Sequence, residues 1–330
     1  MRYRKFGNTD LLVSEVGFGA WAIGGDAMVG NTPIGWGPAD DESSKKAIHQ
    51  ALDQGINFFD TADFYGLGHS ETLLGNTIGS NPDLLIATKV GHRAINDSIV
   101  LDYSKTYIIE AVEQSLKRLK RDRIDYYQLH SARLKHFETE ACIEAMEELQ
   151  QSGKIRYWGL SLNSFEPAPE ADYLLQHQKG SGFQLVFNLI NQIALPVMEK
   201  AAAAGYGIIA RMPLQFGLLT GKFKRNQQFG KNDHRSFRLN ESVLDESLTI
   251  LEGKIWPLYE KYQTTKTGLA MSFILSYPQV STVIPGIRTK EQAIENSSGI
   301  VQLEDSDRLL LQNLFGSDWL PLVDQMKALG

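Results

Sequence analysis

Cysteine is almost absent. Cys142 stands alone among 330 residues, so no internal disulfide can form. Its place in the helical-looking run Glu140-Ala-Cys-Ile-Glu-Ala-Met146 reads as a core position rather than a catalytic thiol. No run of 18 apolar residues occurs, and the opening Met-Arg-Tyr-Arg-Lys-Phe-Gly lacks the apolar stretch of a signal peptide. The expectation is a cytoplasmic protein without a membrane partner. A positive excess is missing too: the formal net charge of −6 argues against a nucleic-acid partner, because a polyanion repels an acidic protein at long range. No low-complexity tract or Pro/Ser linker divides the chain, so a single domain over residues 1–330 is expected. Two phosphate-binding motifs also fail. Gly17-Phe-Gly19-Ala-Trp-Ala22 fits a dinucleotide fingerprint but runs on into Ile-Gly-Gly-Asp, which cannot open a helix, and Gly217-Leu-Leu-Thr-Gly221-Lys222-Phe223 is one residue short of a P-loop.

What is present is ordinary globular composition, 42% hydrophobic and 22% charged, enough for a sizeable core. Short apolar runs recur, each followed by a stretch of helical spacing. The strands read as Ser14–Gly19, Ile56–Thr61, Leu84–Lys89, Ile124–His130, Arg156–Ser161, Phe183–Asn188, Gly207–Arg211 and Thr282–Pro285. Amphipathic segments such as Glu42–Gln54, Lys105–Lys120 and Phe137–Gln150 are long enough to return the chain for another parallel strand. Eight such units predict a (β/α)8 TIM barrel, class α/β, with extra C-terminal helices. Arg2–Val13 reads as an N-terminal hairpin, turning at Gly7-Asn8 and capping the barrel's other end. The long irregular stretches Gly24–Asp40 and Phe216–Leu239 follow strand ends, where a barrel carries its functional loops. The run Lys222–Arg238 holds six basic residues (Lys222, Lys224, Arg225, Lys231, Arg235, Arg238) against Asp233. It reads either as a solvated loop or as a site for a phosphorylated ligand.

The last polar residue of each strand gives Asp60, Lys89, His130, Ser161, Gln184 with Asn188, and Arg211. A barrel brings these to one mouth. An acid, a lysine and an imidazole at neighbouring strand ends form a titratable cluster. Tyr65, five residues past Asp60, adds a phenol above it. A phenol ordinarily loses its proton near about pH 10, and an adjacent ammonium favours its ionised form, so such a tyrosine can act as an acid or base nearer neutrality.

The segments Asn57-Phe-Phe-Asp-Thr-Ala-Asp-Phe-Tyr-Gly66, Ile86-Ala-Thr-Lys89, Asp125-Tyr-Tyr-Gln-Leu-His130, Gly153-Lys-Ile-Arg-Tyr-Trp-Gly-Leu-Ser161, Pro213-Leu-Gln-Phe-Gly-Leu-Leu-Thr-Gly-Lys222 and Ile284-Pro-Gly-Ile-Arg288 together resemble the aldo-keto reductase superfamily, in the bacterial-type and channel β-subunit-like branch. The likeness spans nearly the whole chain. It implies an NADPH-dependent enzyme reducing aldehydes or ketones, with the catalytic set Asp60, Tyr65, Lys89 and His130. Tyr65 is then the general acid and His130 orients the carbonyl. It further implies that Gly19, Ala20 and Trp21 line the cleft and that Ser161 and Gln184 hold the nicotinamide carboxamide. The rest of the implied cofactor set is Asp60, Arg211, Pro213, Leu214, Gly217, Leu218, Lys222, Ile284, Pro285, Gly286, Arg288, Gln292, Glu295 and Asn296, the last at the adenine. A small-molecule carbonyl would meet Trp21, Phe64, Tyr65 and His130, with His92 and Trp36 as further walls.

The chain departs from the family pattern at three places. Leu162 rather than Asn follows Ser161. Arg211-Met212 replaces Tyr-Ser, so a guanidinium plane stands where a ring stacks on nicotinamide. Gly286 replaces a phosphate-binding lysine of some branches, leaving Arg288 and Gln292 for the 2′-phosphate. Two other readings compete. One is a cofactor-holding subunit that senses redox state without turnover. The other is a metal-dependent hydrolase on His130, Asp60 and Asp63, which lacks the second strand-end histidine of the usual ligand set; the expected metal complement is none.

Overall fold

A computed structural model describes residues 1–35, 37–230 and 235–329, apart from the side chains of Ser236 and Phe237. Trp36, read as a cleft wall, and Lys231 and Asp233 of the basic run lie outside the described residues. The chain begins with β1 (Tyr3–Lys5) and β2 (Leu12–Ser14), an antiparallel pair, and enters the barrel at β3 (Phe18–Gly19). A small hairpin of β4 (Met28–Val29) and β5 (Thr32–Pro33) follows, then β6 (Phe58–Asp60) and β7 (Leu85–Val90). A second hairpin, β8 (His92–Ile95) with β9 (Ser98–Leu101), precedes β10 (Ile124–His130), β11 (Ile155–Ser161), β12 (Gly182–Val186), β13 (Gly207–Arg211) and β14 (Thr282–Ile284).

Eight of these strands form one parallel sheet in the order β14-β13-β12-β11-β10-β7-β6-β3. Parallel bridges Val16↔Val283 and Gly19↔Gly286 bring its two edges together and close the barrel. This is the (β/α)8 architecture expected from the alternation of strands and helices. Strand limits move by one or two residues, with two informative exceptions. Ser14, read as the start of the first barrel strand, belongs to the hairpin, where its hydroxyl turns the chain by bonding Val16 O at 2.7 Å. Asn188, read as a strand-end residue of the mouth, lies beyond β12. Its Oδ1 accepts from the backbone N–H groups of Ile190 and Asn191, and its Nδ2 donates to Met212 O and Gln215 Oε1.

The outer helices form where the sequence repeats at 3.6 residues. Lys105–Leu119 starts at Ser104, whose Oγ accepts from Tyr107 N, and buries Ile108, Ala111, Val112, Ser115, Leu116 and Leu119 against the sheet. The segment read as one helix, Phe137–Gln150, is two, Leu134–Phe137 and Ala141–Gln151, split at Glu140 with φ 54°. Cys142 is buried there as expected, and burial pushes its thiol up to about 11. The C-terminal helices Asp305–Leu314 and Leu320–Ala328 add a layer, with Trp319 fully buried between them. No helix among the described residues is long and apolar enough to cross a membrane.

The N-terminal hairpin plugs the barrel floor. Phe6 lies with Leu11, Val13, Phe58, Leu85, Tyr126, Ile209 and Ile284 in an apolar cluster separate from the helical core, its ring 4.9 Å from that of Tyr126. Gly207 and Gly182 face this ring, and a Cβ at either would sit 2.5 or 2.7 Å from its carbons. Phe6→Ala should therefore cost about 3–5 kcal/mol, the usual penalty for emptying such a site. Urea unfolding of the two proteins checks this, and a loss below about 1 kcal/mol would show that the plug contributes little.

Candidate active site

Parallel register places the strand-end residues side by side: Gly19 beside Asp60, Gln128 beside Lys89, His130 beside Ser161, Ser161 beside Gln184, and Arg211 beside Ile284. Side chains alternate along a strand, so Gln128 and His130 face the same way, into the barrel. Above the apolar plug the interior therefore turns polar. Asp60, 2% exposed, accepts from Lys89 Nζ on Oδ2 at 2.6 Å and from Gln128 Nε2 and Gln184 Nε2 on Oδ1 at 3.0 and 2.7 Å. Lys89, 0% exposed, also donates to Thr61 O at 2.8 Å and to Tyr65 Oη at 3.2 Å. Burial alone would lower the Lys89 ammonium, but the opposing Asp60 carboxylate and Tyr65 oxygen hold it above its usual value.

Tyr65 opens a short helical turn, Tyr65–Gly68, packed on another at Ala20–Gly24. That packing needs glycine at 66, where φ is 61° and a Cβ would meet Gly24 O at 2.1 Å. Trp21 stacks on the Tyr65 ring at 6.1 Å, and its Nε1 donates to Ile34 O. His130 stands edge-on to Tyr65 at 5.9 Å and to His92 at 4.4 Å, and Phe64 lies 5.5 Å from His92. Burial, reinforced by His92, Lys89 and Arg211, holds His130 well below the ordinary imidazole range, and burial brings His92 to about 4. Both imidazoles are neutral at pH 7, so neither competes with the phenol as a proton source.

These groups open into a cavity of about 730 Å³, lined among others by Gly19, Ala20, Trp21, Asp60, Phe64, Tyr65, His92, His130, Ser161, Gln184, Arg211, Pro213, Leu214, Gly217, Ile284, Gly286, Arg288 and Gln292. Such a volume lies within the usual range for small-molecule and cofactor sites. Not every expected cofactor residue reaches the wall. Leu218 is buried in the core, Lys222 pairs with Glu295 at 2.7 Å, and Asn296 Nδ2 donates to Gly286 O at 3.3 Å. Pro285, Lys222, Leu218, Glu295 and Asn296 are absent from the lining. Leu162 is buried, and Asn163 spends its Oδ1 on the N–H groups of Phe165 and Glu166.

One part of the wall is formed by Gly286, Arg288 and Gln292. Arg288 precedes the helix Lys290–Ser297, whose cap Thr289 accepts from Gln292 N, while Gln292 Oε1 accepts from Arg288 N. Nothing lies within 4 Å of the position a Cβ would take at Gly286, which leaves room there for a ligand. Arg235 and Arg238, from the basic run, also line the cavity. Residues Met212, Gln215 and Phe216 hold φ values of 55°, 41° and 56°. That strain is concentrated at the rim, where Asn188 pins Met212 and Gln215.

Among the lining or supporting residues not singled out from the sequence are Gln128, Ser164 and the apolar pair Ile99 and Leu101 on β9, while Arg235 and Arg238, read there only as part of the basic run, face the cavity. A signal existed for the first, since Gln128 sits two positions before His130 on one strand. Metal chemistry finds no donor set among the described residues, where no three His, Cys, Asp or Glu gather. Asp63 turns toward Tyr107 Oη at 3.3 Å, while Asp60 is occupied by Lys89.

This barrel, with an acid, a lysine, a tyrosine and a histidine at one mouth, defines the chain as an oxidoreductase of the Aldo/keto reductase family, to which it belongs: that family's description matches residues 15–309. The chain is 33% identical over 304 residues to "Uncharacterized oxidoreductase YqkF" of Bacillus subtilis, covering 90% of each chain. It is 28% identical over 336 residues to the "NADH-specific methylglyoxal reductase" of Escherichia coli, covering 95% of this chain and 98% of the relative. Among solved structures, the glycerol dehydrogenase AKR11B4 from Gluconobacter oxydans superposes with a TM-score of 0.81 at 28% identity, covering 96% of this chain and 95% of that one.

Proposed function

We propose that the chain is an NADPH-dependent carbonyl reductase, converting aldehydes or ketones to alcohols as one domain over residues 1–330 in the cytoplasm, with Tyr65 as general acid. The observation that carries the reading is the buried relay Asp60–Lys89–Tyr65, with spacings of 2.6 and 3.2 Å at the cavity floor. When bound, the nicotinamide supplies a hydride to the carbonyl carbon. Tyr65 Oη–H donates its proton to the carbonyl oxygen, and the Lys89 ammonium stabilises the negative charge left on the phenol oxygen. Asp60 keeps Lys89 charged and aimed, and Gln128 and Gln184 hold Asp60 in turn. Neutral His130 orients the carbonyl through a ring N–H, so the substrate oxygen has two donors and one proton source. The residues present fit the cofactor: Gly19, Ala20, Trp21 and Ser161 would hold the reacting end, Pro213, Leu214 and Gly217 the middle, and Gly286, Arg288 and Gln292 the 2′-phosphate end.

A panel of aldehydes and ketones, assayed for loss of reduced-cofactor absorbance with NADPH and NADH in parallel, tests this reading. No turnover with any carbonyl sinks it. The cofactor choice is tested separately, because the E. coli relative is named for NADH. Arg288 is exposed beside a helix start. A guanidinium there adds charge-assisted bonds to a 2′-phosphate, worth about 1.5–3 kcal/mol. Arg288→Ala should weaken NADPH binding by roughly 10- to 150-fold and leave NADH nearly unchanged. Fluorescence titration of both cofactors decides, and equal losses exclude Arg288 as the discriminator.

A further inference from the structure

We propose that the carbonyl compound this site reduces carries a carboxylate, and that Arg211 receives it. The inference rests on the carbonyl-reductase reading and adds the substrate class. Arg211 ends β13 and shares the cavity wall with Tyr65 and His130. It is close enough for its charge to act on His130, and for Tyr65 and Asp60 to act on it.

Its partners are all neutral. Nη2 donates to Leu162 O and Ser164 Oγ, each at 3.1 Å, and Nη1 to Met212 Sδ at 3.2 Å, while Nε–H is buried without an acceptor. Other buried or part-buried cations have a carboxylate beside them: Asp60 for Lys89, Glu71 for Arg118, Asp125 for Arg156, Glu170 for Arg133. Arg211 is given none. Arg211 is part-buried in the cavity wall with its Nε enclosed; withdrawing a cation from water without a counter-charge is costly, and burial pulls this guanidinium below its usual value.

Among the described residues no wall group supplies the missing charge: Asp60 is the one carboxylate there that lines the cavity, and both its oxygens are taken by Lys89, Gln128 and Gln184. The nicotinamide ring does not supply it either: a ring delivering hydride to a carbonyl held by Tyr65 is itself neutral, and becomes positive on oxidation. At the reacting end, beside Tyr65 and His130, the anion that Arg211 would meet is then the substrate's own. One guanidinium with three donors already engaged suits a monoanion better than a phosphate dianion. The guanidinium face can still pack on the cofactor ring, since charge and face are separate resources of the same group.

The test uses 2-oxopropanoate, 4-oxobutanoate and 5-oxopentanoate, each paired with its neutral methyl ester, and an aldehyde-bearing phosphate monoester, all at saturating NADPH. The readout is the ratio of kcat/KM for acid over ester, which cancels any general loss of activity. At least one pair should favour the acid by about 10- to 100-fold in the wild type. That ratio should fall to within about threefold in Arg211→Gln and recover in part in Arg211→Lys, with far-UV circular dichroism and thermal unfolding reporting an intact fold. Turnover of the esters with no acid preference in any pair overturns the proposal while leaving carbonyl reduction standing. So does an Arg211→Gln enzyme that loses acid and ester activity equally, or a wild type that prefers the phosphate. Absence of turnover with every carbonyl instead defeats the reductase reading on which it rests.

Discussion

Tyr65→Phe should lower turnover of carbonyl substrates by roughly 10²–10⁴-fold while leaving NADPH affinity almost unchanged. The ring survives the substitution, so its stacking on Trp21 and its edge contact with His130 are kept. Only the hydroxyl is lost, and with it the proton that must reach the carbonyl oxygen as the hydride arrives. His130 cannot take over, because burial and the neighbouring cations keep it neutral at working pH. Steady-state rates combined with fluorescence titration of the cofactor separate the two effects. A Phe variant reducing aldehydes near the wild-type rate would remove Tyr65 from the chemistry.

Lys89→Met should be more damaging still, because it affects two properties at once. Turnover should fall by at least about 10²-fold, since the phenol oxygen loses the cation 3.2 Å away that stabilises its charge. Stability should fall as well, by about 3–5 kcal/mol, because Asp60 is left as a buried carboxylate without its partner. The two effects can be separated. In Asp60→Asn/Lys89→Met the unpaired charge is gone, so stability should largely return while activity does not. Denaturant unfolding and rates across pH for both variants check this. A single variant with wild-type stability and an unchanged pH–rate profile would show that the relay is ornamental.

The hairpin β8–β9 was not anticipated, although its signal was present. Asn96 and Asp97 both adopt positive φ, 46° and 61°, as a two-residue turn requires, and Asn and Asp are among the residues that tolerate it. Its exposed apolar face, including Ile99 and Leu101, broke the expected inside-outside alternation and hid the strands. The basic run could not be resolved from its composition. Arg225 turns out to the surface toward Glu252, Lys222 pairs with Glu295, and Arg235 and Arg238 face the cavity. Nothing in the spacing of those residues separates the three outcomes.

By itself the sequence determined the barrel, because eight apolar runs alternating with 3.6-residue periodicity admit few other ways to bury their faces. It also determined which acid, ammonium and imidazole stand at the mouth, because a strand's inward residues are set by a period of two, with the phenol of Tyr65 on the turn just beyond. Only tertiary structure decided what those groups do to one another. Gln128 and Gln184 converge on Asp60 from strands far apart in the chain, and their reach depends on barrel register rather than on any local pattern. That Arg211 has no carboxylate in contact among the described residues is likewise a property of the closed barrel, because a counter-charge is found or missed only once all eight strand ends are in place.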